Sequence, residues 1–204
     1  TTPDEEIIVT GHLNGQPLLM LTDPVGFPIW QMQYFVPPGF PFIEPPFHAF
    51  TDVDIDQMEG TAVVSGSIEY RGDEPGVNAP RDDAILMKVD PGGFPLWYFK
   101  YDWPFDRDDP DFPNVLEFGH GVDIGPDGFI YSSGKTDFGR QFIDEGAIVI
   151  ITDPGGVPFN SLRYQPTEMD GRVLYGSPAY ASIEFDSRFG LLAIAGTVQD
   201  IESF

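Results

Sequence analysis

One motif recurs three times and sets the terms for any fold this chain can adopt. The stretch LMLTDPVGFPIWQMQY, residues 19–34, returns as LMKVDPGGFPLWYFKY at 86–101 and as VIITDPGGVPFNSLRY at 149–164. Each copy sets a strand-like run before an Asp-Pro turn, followed by Gly, Pro and a second strand-like run. The Asp carboxylate can accept backbone N–H bonds within the turn, and Pro fixes φ. The following Gly allows positive φ. Three such hairpins in one chain predict a repeating β architecture.

The register of the repeat can be counted. Asp23, Asp90 and Asp153 are spaced by 67 and 63 residues. A second hairpin alternates with the first: AFTDVDID (49–56) turns through QMEG into TAVVSGSIEY (61–70). It is repeated in HGVDIGPDGFIYSSGKT (120–136) and YASIEFDSRFGLLAIAGTV (180–198). Its turn glycines are Gly60, Gly128 and Gly190, and Gly66, Gly134 and Gly196 each follow six residues later. Gly11 reads as an earlier member of that last set. A glycine inside a strand marks a bulge or a close backbone approach. With strands named A to D, the order is BCD, ABCD, ABCD, AB, thirteen in all. The units span 7–34, 48–101, 119–164 and 180–198 within a single domain, 1–204. A period in the low sixties with four short strands per unit predicts an all-β, β-propeller-like array of antiparallel blades, three to four in number. Trp30 and Trp97 each lie seven residues after the turn Asp, where they would wedge between neighbouring sheets. Asn160 takes the matching third place.

Bulk properties agree with this class and narrow the partners. Hydrophobic residues make up 41% of the 204 residues, sufficient for a core, so the charge does not signal disorder. Asp plus Glu number 33 against 10 Lys plus Arg, a formal charge of -23 that repels nucleic acid and anionic membranes. No apolar run of 18 residues suggests a membrane span. Cysteine is absent, so no disulfide staples the fold. The chain opens at TTPDEE, which fits removal of a secretion signal or trimming of the coding sequence.

Candidate interaction residues fall mainly in two insertions. FVPPGFPFIEPPF (35–47) carries Phe40, Phe42 and Phe47, and DWPFDRDDPDFPN (102–114) carries Trp103 and Phe105. These aromatics either cap the edge of the core or form a partner surface, because contiguous exposed aromatics are costly unless covered. An Arg-Gly-Asp tripeptide at Arg71–Asp73 matches an adhesion motif, but three common residues recur easily by chance. Asp52, Asp54 and Asp56 alternate along a strand and would share one face. Asp106, Asp108, Asp109 and Asp111 crowd one loop. Either set could hold a hard cation such as calcium, the one cofactor the sequence suggests, although neither matches a full EF-hand loop. A solvated acidic face is the simpler explanation.

Catalysis finds less support. Asp54, Asp123 and Glu184 hold matching hairpin positions, so the repeat itself explains them as well as a carboxylate pair for glycoside hydrolysis does. His12, His48 and His120 have non-equivalent places and no metal-ligand spacing. Ser132 and Ser133 lie near His120 without a nucleophile elbow.

The succession of a D-x-x-G hairpin, a G-x-(T/S) strand, a (V/T)-D-P-G-G turn and a Trp strand resembles the bacterial β-propeller repeats called SBBP. The resemblance covers nearly all of the chain outside the Pro-rich insertions. It implies a secreted or surface-attached protein, with no single substrate and no catalytic set. The chain departs from the family in blade count, since a complete ring usually needs at least four. The last AB hairpin could lend the first unit its missing A strand. Otherwise exposed strand edges would pair with another molecule and build a fibre. The resulting expectation is an extracellular or cell-surface structural protein, a self-assembling filament subunit. The alternatives are a secreted module binding a protein or glycan partner, and a glycan-active enzyme.

Overall fold

The computed structural model of the chain describes residues 5–34, 48–71, 80–101, 116–137, 146–164, 179–186, 188 and 190–197. Among these residues the chain forms thirteen strands. They are β1 (Ile7–Leu13), β2 (Gln16–Thr22), β3 (Pro28–Gln33), β4 (His48–Ile55), β5 (Ala62–Arg71), β6 (Pro80–Val89) and β7 (Pro95–Tyr101). There follow β8 (Leu116–Ile124), β9 (Ile130–Asp137), β10 (Gly146–Thr152), β11 (Pro158–Tyr164), β12 (Ala179–Asp186) and β13 (Leu191–Thr197).

All pairings are antiparallel between consecutive strands, and they build four separate sheets: β1-β2-β3, β4-β5-β6-β7, β8-β9-β10-β11 and β12-β13. The BCD, ABCD, ABCD, AB reading therefore stands. Among the described residues, the last hairpin does not lend its A strand to the first unit. β12 pairs with β13, and β1 pairs with β2.

The three Asp-Pro turns share one backbone setting. Asp23 Oδ1 accepts from Val25 N at 3.0 Å and Phe27 N at 2.8 Å. Asp90 Oδ1 accepts from Gly92 N at 2.9 Å and Phe94 N at 2.8 Å. Asp153 Oδ1 accepts from Val157 N at 2.8 Å. In each turn the Gly three residues on donates its N–H to the Asp carbonyl and takes positive φ: +92° at Gly26, +82° at Gly93 and +82° at Gly156. A side chain that satisfies one or two turn N–H groups, beside a residue able to adopt the left-handed region, explains why this motif is held so closely. Gly60, Gly128 and Gly190 close the A–B hairpins, also at positive φ.

Strand alternation gives the second sheet two apolar faces, and both are covered. Val64, Ile85, Met87 and Val89 pack with Leu19 of the first sheet and with Phe50 and Ile55. Val63, Leu86 and Tyr101 face the other way, onto Val122, Ile130, Ile148 and Ile150 of the third sheet. Val63 and Val64 are neighbours in sequence and both are 0% exposed, so the second sheet is a middle layer. Each such side chain contributes about 1.5–3 kcal/mol by burial.

Candidate functional site

Three inter-sheet devices recur along the stack, and each joins one unit to the next. The first is aromatic. Trp30 donates Nε1–H to Pro91 O at 3.0 Å, and Tyr34 donates its hydroxyl to Gly93 O at 2.7 Å. One unit later, Trp97 donates to Pro154 O at 3.3 Å and Tyr101 to Gly156 O at 2.8 Å. The outer strand of each unit thus caps the Asp-Pro turn of the following unit. The fit is close: a Cβ placed at Gly93 would lie 3.0 Å from the Trp30 ring, and one at Gly156 would lie 2.7 Å from Phe99. Burial raises the phenol pKa values of Tyr34 and Tyr101, and the nearby Asp90 and Asp153 charges add to the effect. Both hydroxyls therefore stay protonated donors.

The second device is a ladder of carboxylates on the A strands. Asp52 Oδ2 accepts from Val122 N at 3.0 Å, and Asp54 Oδ2 accepts from Ile124 N at 2.8 Å. The second oxygen of each accepts from its own following residue, Val53 N at 2.9 Å and Ile55 N at 2.8 Å. Asp123, the counterpart of Asp54, accepts from Phe185 N in the fourth sheet. Glu184 takes the same register in β12. Burial raises the Asp123 pKa to about 6, despite the Phe185 N–H, and the neighbouring Asp54 carboxyl adds to the rise through a hydrogen bond and its charge. Asp52 is also raised by burial, while the Val122 and Val53 N–H groups pull it down.

The third device is a bulge opposite the in-strand glycine. The register shifts between Phe50 and Asp52 beside Gly66, between Gly119 and Gly121 beside Gly134, and between Tyr180 and Ser182 beside Gly196. A Cβ at Gly66 would collide with the Ala49 carbonyl oxygen, and one at Gly119 with the Gly66 carbonyl oxygen. Backbone therefore approaches backbone both within and between sheets.

Of the residues proposed to bind calcium, Asp52, Asp54 and Asp56 accept backbone hydrogen bonds. Asp52 and Asp54 hold the next A strand, and Asp56 Oδ1 accepts from Met58 N at 2.9 Å within its turn. Among the described residues no three His, Cys, Asp or Glu side chains group closely enough to hold a metal ion. Phe40, Phe42, Phe47, Trp103, Phe105, Asp106, Asp108, Asp109 and Asp111 lie outside the described residues. So do Gly72 and Asp73 of the Arg-Gly-Asp tripeptide. The Ser132 and Ser133 hydroxyls are buried, and Ser132 Oγ lies 3.4 Å from Ser65 Oγ on the adjacent sheet. His120 stands at the bulge, its pKa lowered by burial and by Lys135.

The two ends of the stack differ from its middle. On the first sheet Ile7 and Val9 are 38% and 40% exposed, whereas Ala62 and Val64 in the same register of the second sheet are 4% and 0% exposed. On the last sheet Leu191 is 62% exposed, and its counterpart Thr61 is 7% exposed. Among the described residues no helix is long and apolar enough to cross a membrane. No protein-family model matches the chain, and no curated protein matches it either.

Proposed function

We propose that the chain is a structural repeat module of the bacterial β-propeller repeat type, built to associate with further copies of itself in an extracellular or cell-surface assembly. One observation carries this reading. Among the described residues the indole, phenol and carboxylate interlocks between units all run in the same direction, and the apolar faces at the two ends, unlike their counterparts in the middle, lie open. A surface that receives a unit at one end and a surface that offers one at the other make a heterologous contact, which either closes a ring or extends a filament. Exposed apolar positions on a sheet are the usual mark of such a contact.

The charge of -23 sets a condition on assembly. Copies repel one another at low ionic strength, and screening shortens that repulsion to about 8 Å at physiological salt. Sedimentation velocity from low to physiological salt, followed by electron microscopy, tests the proposal. Association that grows with salt and concentration is the expected result. A monomer under all conditions sinks it.

A second reading draws on chain topology. The Asp-Pro turns and the A–B turns lie at one end of the sheets, while residues 35–47, 72–79, 102–115, 138–145 and 165–178 all connect strands at the other. Two of these connections carry the aromatics named above in sequence, and this reading assigns the module a protein or glycan partner. A glycan-binding screen separates this reading from assembly.

A further inference from the structure

Gly11 carries a requirement whose cause is missing among the described residues. Counting back from the Asp-Pro turns, Gly11 in β1 holds the register of Gly66 in β5, since Val9 pairs with Met20 as Val64 pairs with Met87. At Gly66 the glycine is needed because the bulged A strand brings the Ala49 carbonyl against it. At Gly11 a Cβ would meet nothing within 4 Å. Among the described residues β1 pairs with β2 alone, and its A-strand side carries no strand. A glycine inside a strand loses backbone entropy and packing for no local return.

A second, independent feature points to the same missing strand. In β8 and β12 the backbone N–H groups of Val122, Ile124 and Phe185 bond to carboxylates from the preceding A strand. Their counterparts in β4, Val53 N and Ile55 N, bond to the carboxylates of the residues just before them. At the opposite end of the stack, Glu184 on β12 presents a carboxylate in the register that Asp54 and Asp123 use to hold the next unit. Among the described residues β12 is also bound only into a two-stranded sheet, the smallest of the four. Its partner β13 is a B-type strand like β1, with Gly196 in the place of Gly11 and Ile194 in the place of Val9.

We propose that β1 is a strand acceptor: β12 of a second copy pairs with it, taking Gly11 opposite its bulge, while β1 replaces that copy's own β13. The proposal deepens the self-association reading and rests on it. The product is one complete four-stranded sheet, β12-β1-β2-β3, shared between two copies. It continues the stack with Glu184 facing the N–H groups of β4. By the register of the other hairpins, Ser182 of one copy then stands opposite Thr10 of the next, as Asp52 stands opposite Ser65.

Because the chain contains no cysteine, one engineered pair tests this directly. A Thr10→Cys, Ser182→Cys variant under mild oxidation is expected to give a ladder of covalent oligomers on a non-reducing gel, collapsed by reductant. Adding Gly11→Ala is expected to abolish the ladder while leaving the melting temperature of the monomer no lower, and slightly raised, because that Cβ enters open space and the glycine's entropic cost is removed. Three results overturn the proposal. A ladder that survives Gly11→Ala removes the role of the bulge. A fast-migrating cross-linked monomer means that β12 reaches β1 within one chain. No cross-link at all, while the cysteine-free chain still associates in sedimentation, leaves assembly standing but places it elsewhere.

Discussion

Substituting alanine for the glycine of two Asp-Pro turns separates local strain from inter-sheet packing. Gly26 and Gly93 hold the same turn position, with φ of +92° and +82°. They differ in what lies outside. A Cβ at Gly26 meets nothing within 4 Å, whereas one at Gly93 lies 3.0 Å from two atoms of the Trp30 ring. Gly26→Ala should therefore cost only the left-handed conformation, about 1–2 kcal/mol. Gly93→Ala adds the displacement of a packed indole, about 1–3 kcal/mol more by analogy with overfilled cores. For a chain of this size each kcal/mol lowers Tm by about 2–4 °C, so the two variants should differ by several degrees. Urea unfolding followed by circular dichroism reads the difference as a change in midpoint at constant slope. The decisive control is the cycle with Trp30→Ala. Once the ring is removed, Gly93→Ala should cost no more than Gly26→Ala, because contacting residues are not additive. Equal costs for the two glycine variants in the wild-type background would refute the claim that Trp30 holds the second sheet through this turn.

Other expectations follow from the same contacts. Lowering pH from 7 to 5 should raise Tm. Asp123 keeps its proton in the fold up to about 6 against an ordinary value of 3.8, so its stabilising contribution is full below 3.8 and is lost as pH climbs through 6. The groups facing it are the Asp54 carboxyl, the Phe185 and Ile124 N–H groups and Tyr131. Asp123→Asn should flatten this part of the Tm–pH profile, and an unchanged slope would assign the effect to other carboxyls. Tyr101→Phe removes the hydroxyl donor to Gly156 O and should cost about 0.5–1.5 kcal/mol in urea unfolding. Leu86→Ala empties the layer between the second and third sheets and should cost about 2–5 kcal/mol by the same assay.

What could be read in the sequence was what depends on neighbours along the chain. The Asp-Pro-x-Gly turn satisfies its own N–H groups, so Asp23, Asp90 and Asp153 announced all three hairpins. The in-strand glycines signalled bulges because a missing side chain has few other uses there. The carboxylate ladder was not legible in the same way. Alternating Asp52, Asp54 and Asp56 suggested a cation or a solvated face, because nothing local says that another backbone will bring its N–H groups against them. That contact arises only when A strands from successive sheets stack, some 70 residues apart. Its one sequence trace was the recurrence of Asp54, Asp123 and Glu184 in register. That β12 pairs with β13 and not with β1 among the described strands likewise rests on long-range geometry. The thirteen-strand order alone allowed the last hairpin to reach back to the first unit.

The interlocks described for Trp30 and Trp97, and for Asp54 and Asp123, give the stack a polarity. Each unit grips its successor with outward side chains and is gripped through its own main chain, so identity in the gripped unit matters less than conformation. Lengthening by a tandem duplication of residues 48–115, which carries its own connection to the next A strand, should thus be tolerated in the native orientation, whereas a rearrangement that reverses unit order could not re-form the grips.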